Sequence, residues 1–337
     1  MILSYTKKSL PLKKIFRVAN SSKSIVNNVF IEIAHGNTIG VGEAAASEFY
    51  GENTNTIVST LKEISKFLPD DPLVIYSIME FIEQKIRGNY SAKAAVNIAL
   101  YDLIGKIFDV PVYKVLGLDA ASSRIVTSVT IGIDSIDKIR SDVIAVENYP
   151  ILKVKLGTDI DYEIIECIRG LTSKPIRVDA NEGWDKSEAV EKINWLEKQN
   201  VELVEQPLLA DDLEGMRWVQ ERVRLPIIAD ESVRTSRDIP NLLHVFDGIN
   251  IKLMKCGGIS EAIRIIHTAK SFGLLTMIGC FIETSVGITA AAHLSALCDY
   301  VDLDGHLFLN EDPYCGVSID RGMIELPDSP GLGVGTR

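Results

Sequence analysis

Three short apolar runs end in acids at nearly even intervals: Ile176-Arg177-Val178-Asp179, Leu203-Val204-Glu205 and Ile227-Ile228-Ala229-Asp230. The acids lie 26 and 25 residues apart, which leaves room for one buried strand and one helix per interval. Lys153 and Lys155 sit on such a run one interval earlier, and Lys252 on one an interval later. Charged groups at the same end of successive parallel strands point at one common place. The pattern therefore predicts a metal site flanked by amines and built on a β/α barrel.

The rest of the chain fits that frame. From Ile125 onward, strand and helix patterns alternate. Expected strands are 125–130, 151–155, 176–179, 203–205, 227–230, 248–253, 275–279 and 301–303, with helical periodicity between them at 187–199, 211–223 and 260–272 among others. Eight parallel strands suit a closed barrel. An open doubly wound sheet is the alternative, but no glycine-rich phosphate loop follows the first strand. Residues 1–118 read differently, with strands first, a Gly36-Asn37 turn, then helical patterns at 55–67, 72–84 and 92–107. The expected organisation is a small α+β domain over 1–118, a barrel over 119–313, and a Gly- and Pro-rich segment, 314–337, that returns to the first domain.

Composition removes other classes. A net charge of −11 repels nucleic acid, and no Lys/Arg cluster overrides it. The apolar run 274–282 is too short to span a bilayer. The N-terminus lacks the order of a secretory signal. Five cysteines, an odd number without C-x-x-C spacing, read as reduced, packed thiols of a cytoplasmic protein.

Asp179, Glu205 and Asp230 are hard oxygen ligands without His or Cys neighbours, which suits Mg²⁺. Any one of them alone reads more simply as a helix cap. Three at matched strand ends share one explanation in a metal. Asn181, Gln206 and Glu231 lie just beyond and are candidates to orient the ligands. Lys153 and Lys155, two residues apart, share one strand face. Burial and a neighbouring cation are expected to lower an ammonium pKa and yield a usable base. Counting strands two and six of eight places Lys155 and Lys252 across the mouth from each other. Lys255 competes with Lys252 but lies after the strand, beside Cys256-Gly257-Gly258.

Taken together, Lys153-Val154-Lys155, Val178-Asp179-Ala180-Asn181, Val204-Glu205-Gln206-Pro207, Ala229-Asp230-Glu231-Ser232 and Asn250-Ile251-Lys252 resemble the enolase superfamily, in its muconate-lactonizing-enzyme subgroup. The resemblance extends to Gly40-Val41-Gly42-Glu43-Ala44 and Ala99-Leu100-Tyr101-Asp102-Leu103, so it covers essentially the whole chain. It implies an α/β fold: a modified TIM (β/α) barrel with an N-terminal α+β capping domain completed by the C-terminal segment. It also implies one Mg²⁺ per subunit on Asp179, Glu205 and Asp230. Lys155 and Lys252 would be the acid/base pair, Lys153 would contact the substrate carboxylate, and the metal would stabilise an enediolate.

Within the subgroup, Val301-Asp302-Leu303-Asp304-Gly305 looks like the dipeptide epimerase signature, in which two carboxylates hold a substrate α-ammonium. Gly279-Cys280-Phe281-Ile282-Glu283 is similar to the seventh-strand segment of these epimerases. The expected partner is a dipeptide, with a homo-oligomer also open. L-Ala-D/L-Glu epimerases commonly hold the glutamate side chain with an arginine in a loop near residues 16–27. That place falls near Ser21 here, leaving Arg17 or Lys23 as substitutes. Phe49, Tyr50 and Phe281 offer an apolar wall and hence a hydrophobic-dipeptide alternative. An o-succinylbenzoate synthase or N-acylamino-acid racemase is the further alternative, in which Asp302 and Asp304 would have no ammonium to bind.

Overall fold

Alternating apolar residues near the N-terminus build an antiparallel meander: β1 (Ile2–Val18), β2 (Ser21–His35) and β3 (Thr38–Ala45). The computed structural model describes residues 1–119 and 125–337. Gly36 takes φ +58°, as a two-residue hairpin between His35 and Thr38 requires. Residues 16–27 were expected to be a loop. They instead form the tip of the β1–β2 hairpin, with Phe16 opposite Lys23 and Val18 opposite Ser21.

Val29, Ile31 and Ile33 are buried against three helices, α1 (Thr54–Ile64), α2 (Ile75–Lys85) and α3 (Tyr90–Ile107). Each such side chain contributes roughly 2 kcal/mol by leaving water. A side-chain carbon on Gly42 would lie 2.1 Å from the Ala95 carbonyl oxygen, and one on Gly40 2.1 Å from that of Ala99. Strand β3 therefore lies flush on α3, which explains the spaced glycines. Helix α3 is apolar almost all round because it is covered twice. Ala95, Ala99 and Leu103 face the sheet's core, while Ala94 and Ile98 join the barrel's.

The barrel strands are β4 (Val129–Ile131), β5 (Leu152–Lys155), β6 (Ile176–Asp179), β7 (Val201–Glu205), β8 (Ile227–Ala229), β9 (Gly248–Lys252), β10 (Leu275–Gly279) and β11 (Tyr300–Val301). They run parallel in sequence order, β4 to β11. The seam between β4 and β11 is joined by few backbone bonds, among them the Ser128 N–H donating to Val301 O at 3.3 Å. Side chains close the remainder. The Ser128 hydroxyl donates to Asp302 Oδ1 at 2.7 Å, the Thr130 N–H to Asp304 Oδ2 at 2.6 Å and the Leu303 N–H to Thr127 Oγ1 at 2.8 Å.

Two expected strands differ in extent. The sequence pattern predicts the first over 125–130, but only Val129–Ile131 joins the barrel. Ile125 and Thr127 bond instead to Ile324 and Gly322, beside the Ser318–Asp320/Met323–Glu325 hairpin. The pattern predicts the last over 301–303; it spans Tyr300–Val301, and the Asp302 N–H still donates to Ile278 O at 2.9 Å. The other six strands agree within two residues. The C-terminal segment bonds to residues 110–112 through Gly331, and the Leu332 N–H donates to Asp102 of α3 at 2.8 Å. All five cysteines are free, and among the described residues no helix is long and apolar enough to cross a membrane.

Candidate active site and metal centre

Parallel register brings the charged strand ends level: Lys155 pairs with Asp179, and Asp179 with Glu205. Asp230 lies one residue past β8. Ligand oxygens of Asp179, Glu205 and Asp230 all fall within 4.8 Å of one another, and all three side chains are buried. The strands then break sharply: Asn181, Glu182 and Gln206 adopt φ of +42°, +64° and +36°. Such backbone is costly for residues with a Cβ and recurs where a site fixes it.

Each acid has an amine against it. Lys155 Nζ donates to Asp179 Oδ2 at 2.5 Å and Lys252 Nζ to Asp230 Oδ2 at 2.6 Å. Lys153 Nζ stands 2.6 Å from Asp302 Oδ2, 2.7 Å from Glu205 Oε2 and 3.2 Å from Asp179 Oδ2. Lys255 Nζ is tied to the Asp230 carboxylate, to Asp230 O at 2.6 Å and to Asn250 O at 2.9 Å. Lys252 lines the cavity and Lys255 does not.

These pairings set the charges. Burial alone would raise the Asp230 carboxyl, but Lys252 and Lys255 hold it far below the usual carboxylate range. Burial, then Asp179, push Glu205 up to about 7. Burial and Asp302 likewise bring Asp304 to about 7. The lowering of a lysine pKa expected for the Lys153/Lys155 pair is not met at Lys153, and Lys252 is raised as well. Burial acts that way, yet Asp302, Glu205 and Asp179 around Lys153, and Asp230 and Glu205 around Lys252, outweigh it and raise both.

The residues present fit a hard divalent cation. All three candidate ligands are carboxylates. Glu205 Oε2 is buried and lies at ion-pair distance from Lys153 but has no aligned hydrogen bond; Glu231 Oε2 and Asn181 Oδ1 nearby also lack one. Buried oxygens without donors are costly unless something positive occupies the space. Gln206 orients the centre through the backbone, its Oε1 accepting from the Asp230 N–H at 2.9 Å. Asn181 reaches Glu231 at 3.3 Å.

A cavity of about 690 Å³ opens above these groups, between barrel and capping domain. Lys153, Lys155, Lys252, Asp230, Asp302, Asp304, Phe281 and Tyr50 all line it, together with Phe49 and Lys23. Arg17 does not. Its strand neighbours Phe16 and Val18 face the cavity, while Arg17 points away and pairs with Asp134 at 3.0 Å. The correction follows from the two-residue period of a strand. Lys23, opposite Phe16 in the hairpin, is the basic residue of that segment on the cavity side. Burial holds its ammonium below the usual value, with Glu48 opposing.

Several participants escaped the sequence reading. Asn250 donates to Glu205 Oε1 at 2.7 Å, and its position two residues before Lys252 on the same strand face was a usable signal. Ser128 and Thr130, which hold Asp302 and Asp304, share a face of the first barrel segment in the same way. Arg234, whose guanidinium lies 4.4 Å from the centre of the Tyr50 ring, gave no local signal.

Known proteins resemble this chain in sequence and fold. Residues 3–117 match the mandelate racemase / muconate lactonizing enzyme N-terminal domain, and residues 138–337 match the enolase C-terminal domain-like family. An L-Ala-D/L-Glu epimerase of Bacteroides thetaiotaomicron is 39% identical over 336 residues, 99% of this chain and 88% of that protein. A substrate-liganded complex of the L-Ala-D/L-Glu epimerase from Bacillus subtilis superposes with TM-score 0.94 at 34% identity, covering 100% of this chain and 99% of that one. A dipeptide epimerase from Enterococcus faecalis, complexed with Mg and L-Leu-L-Tyr, superposes with TM-score 0.93 at 34% identity, covering 99% of each chain.

Proposed function

The chain belongs to the mandelate racemase / muconate lactonizing enzyme family of the enolase superfamily, and from that premise we propose that it is a Mg²⁺-dependent dipeptide epimerase. It inverts the α-carbon of the C-terminal residue by 1,1-proton transfer between two lysines. The observation that carries this reading is the pair of buried amines, Lys155 on β5 and Lys252 on β9, four strands apart in the barrel order and lining one cavity above the acidic triad.

Asp179, Glu205 and Asp230 would hold the metal. A Mg²⁺ ion held there would supply positive charge against the substrate carboxylate, and acids engaged as its ligands would hold the lysines' protons less tightly. One lysine removes the α-proton from its side, and the other delivers a proton to the opposite face. Lys153 would turn from Asp302, 2.6 Å away without substrate, to the substrate carboxylate, which frees Asp302 for the ammonium. Asp302 and Asp304, fixed by Ser128 and Thr130, accept from the α-ammonium at the other end. The capping domain supplies Lys23, Phe49 and Tyr50 to the cavity wall. Five cysteines without a disulfide support a reducing, cytoplasmic setting.

L-Ala-D/L-Glu is the leading substrate, and Lys23 on the cavity wall is the cation that would hold the glutamate carboxylate. A hydrophobic dipeptide is the second reading, favoured by Phe49, Tyr50 and Phe281 on the same wall. Pooled L,L-dipeptides incubated with enzyme and Mg²⁺ in D₂O, followed by mass spectrometry, decide between them. One deuterium gained in Ala-Glu, lost in Lys23→Ala, supports the first. Label in hydrophobic pairs supports the second. No label in any dipeptide sinks both, and directs attention to N-acylamino acids and o-succinylbenzoate precursors, for which Asp302→Asn and Asp304→Asn should leave turnover largely intact.

A further inference from the structure

Arg234 lies outside the cavity, on the segment that follows β8. Its N–H donates to Asp238 Oδ2 at 2.9 Å, which fixes the loop it springs from. The guanidinium is 4.4 Å from the centre of the Tyr50 ring. Tyr50 stacks on Phe281, with centroids 6.0 Å apart and planes 21° apart. On Phe281, Lys252 Nζ stands 5.5 Å from the ring centre. The four side chains form one column, a cation at each end and two rings between. A ring face carries negative potential, so each cation is held by the ring beside it.

The column joins separate parts of the chain. Arg234 and Phe281 come from the barrel, and Lys252 ends β9. Tyr50 comes from the capping domain, on the single turn Glu48–Tyr50. That turn is anchored on its own side by Glu52, whose carboxylate accepts from the Tyr90 N–H at 2.7 Å and the Ser91 N–H at 3.0 Å. Glu52 fixes where the turn starts from; the column determines whether its tip is down on the barrel.

We propose that Arg234 is a positioning residue for the reaction: it pins Tyr50 against Phe281 and so holds the 48–50 turn closed over Lys252. This rests on the reading of Lys252 as a proton-transfer amine. The residue never meets substrate. Its effect is on how often the cavity is closed when a dipeptide is present, and therefore on KM before kcat. A cation–ring contact of this kind shifts an open–closed equilibrium by roughly tenfold.

The test has two parts. The Tyr50, Gly51 and Glu52 amides are bonded to Ser47 and Glu48 within the turn, at 3.1, 2.9 and 3.1 Å, so their hydrogen exchange reports its opening. In Arg234→Met these amides should exchange about tenfold faster than in the unaltered protein, Arg234→Lys should recover most of the protection, and in a Tyr50→Leu background Arg234→Met should add nothing. With the preferred dipeptide, Arg234→Met should raise KM by a smaller factor than it raises exchange, because KM follows the closed fraction and exchange the open one, while kcat stays within about threefold. Unchanged amide exchange in Arg234→Met, an equal added effect without the Tyr50 ring, or a fall in kcat at constant KM each overturns the proposal. Amide exchange needs no substrate, so the column is tested even if no dipeptide is turned over, and failure of the catalytic reading is distinguished from failure of the clamp.

Discussion

Glu43, at the end of β3, is the buried carboxylate that fastens the capping sheet to the barrel, and removing it gives a prediction with a calculable size. Its Oε1 accepts from Asn28 Nδ2 at 2.8 Å and from the Thr284 N–H at 2.9 Å. Its Oε2 accepts from Thr284 Oγ1 at 2.6 Å and from the Gly287 N–H at 2.9 Å. The last two residues begin the helix Ser285–Ala292, a favourable place for negative charge. In Glu43→Ala, Asn28 keeps a bond to Ile282 O at 3.2 Å, and the Thr284 hydroxyl is free to rotate. The Thr284 and Gly287 amides have no such recourse. Two buried donors without acceptors cost roughly 1–3 kcal/mol each. Burial already raises the carboxyl, which takes something back. The net loss should be about 3–4 kcal/mol. Glu43→Gln retains one acceptor oxygen and should lose about half as much. Urea unfolding followed by far-UV circular dichroism and by fluorescence of Trp184, Trp195 and Trp218, all in the barrel half, measures both. An unchanged midpoint in Glu43→Ala, or a Gln variant less stable than the Ala variant, would refute the reasoning.

The remaining predictions concern chemistry, packing and pH. Lys155→Ala and Lys252→Ala should each lower epimerisation by roughly 10²–10⁴-fold with the barrel still folded by circular dichroism; α-proton exchange, measured by NMR in D₂O, should be lost for opposite epimers in the two variants, and loss for the same epimer would rule out amines on opposite faces. Gly42→Ala places a carbon 2.1 Å from the Ala95 carbonyl oxygen and should cost more than about 3 kcal/mol or abolish soluble expression, whereas a melting temperature within a few degrees of the parent would show that β3 is not flush on α3. His293 is buried, its Nε2 3.2 Å from Leu332 O, and burial lowers its pKa to about 4. The unfolded chain therefore takes up a proton first, so stability is full above about pH 6.5 and falls by up to about 3 kcal/mol as pH drops to about 4; unfolding free energies that slope equally in His293→Gln across that window would remove His293 as the cause.

The barrel was legible because its strands are buried on both faces, so each reads as a continuous apolar run, and because the charged ends recur at one interval. What the sequence could not give was decided by distant partners. Ile125 and Thr127 have the composition of barrel strand but pair with the C-terminal segment near Gly322 and Ile324, almost two hundred residues on. Ser21, Ser22 and Lys23 look like loop residues, yet they pair with β1. Arg17 was placed on the wrong face because a period of two says which residues share a side, not which side is inward. The triad and its lysines were found as a set, but their charge states were not: those depend on Asp302 and Glu205 meeting Lys153 across the barrel. Arg234 reaches Tyr50, and Glu43 reaches Thr284 and Gly287, across the boundary between domains, and no local pattern encodes such contacts.

The thin seam of the barrel carries a consequence for how such a protein can change. Asp302 and Asp304 are bound to Ser128 and Thr130 across the gap that few backbone bonds close. The acids proposed to grip the ammonium are thus also rivets in the hoop. A descendant that gives up one of them to accept a different substrate weakens its ring in the same step, unless the first strand changes with it. New specificities should therefore arise more readily on the hairpin tip around Lys23 and the turn at Tyr50, where side chains can be exchanged without opening the hoop.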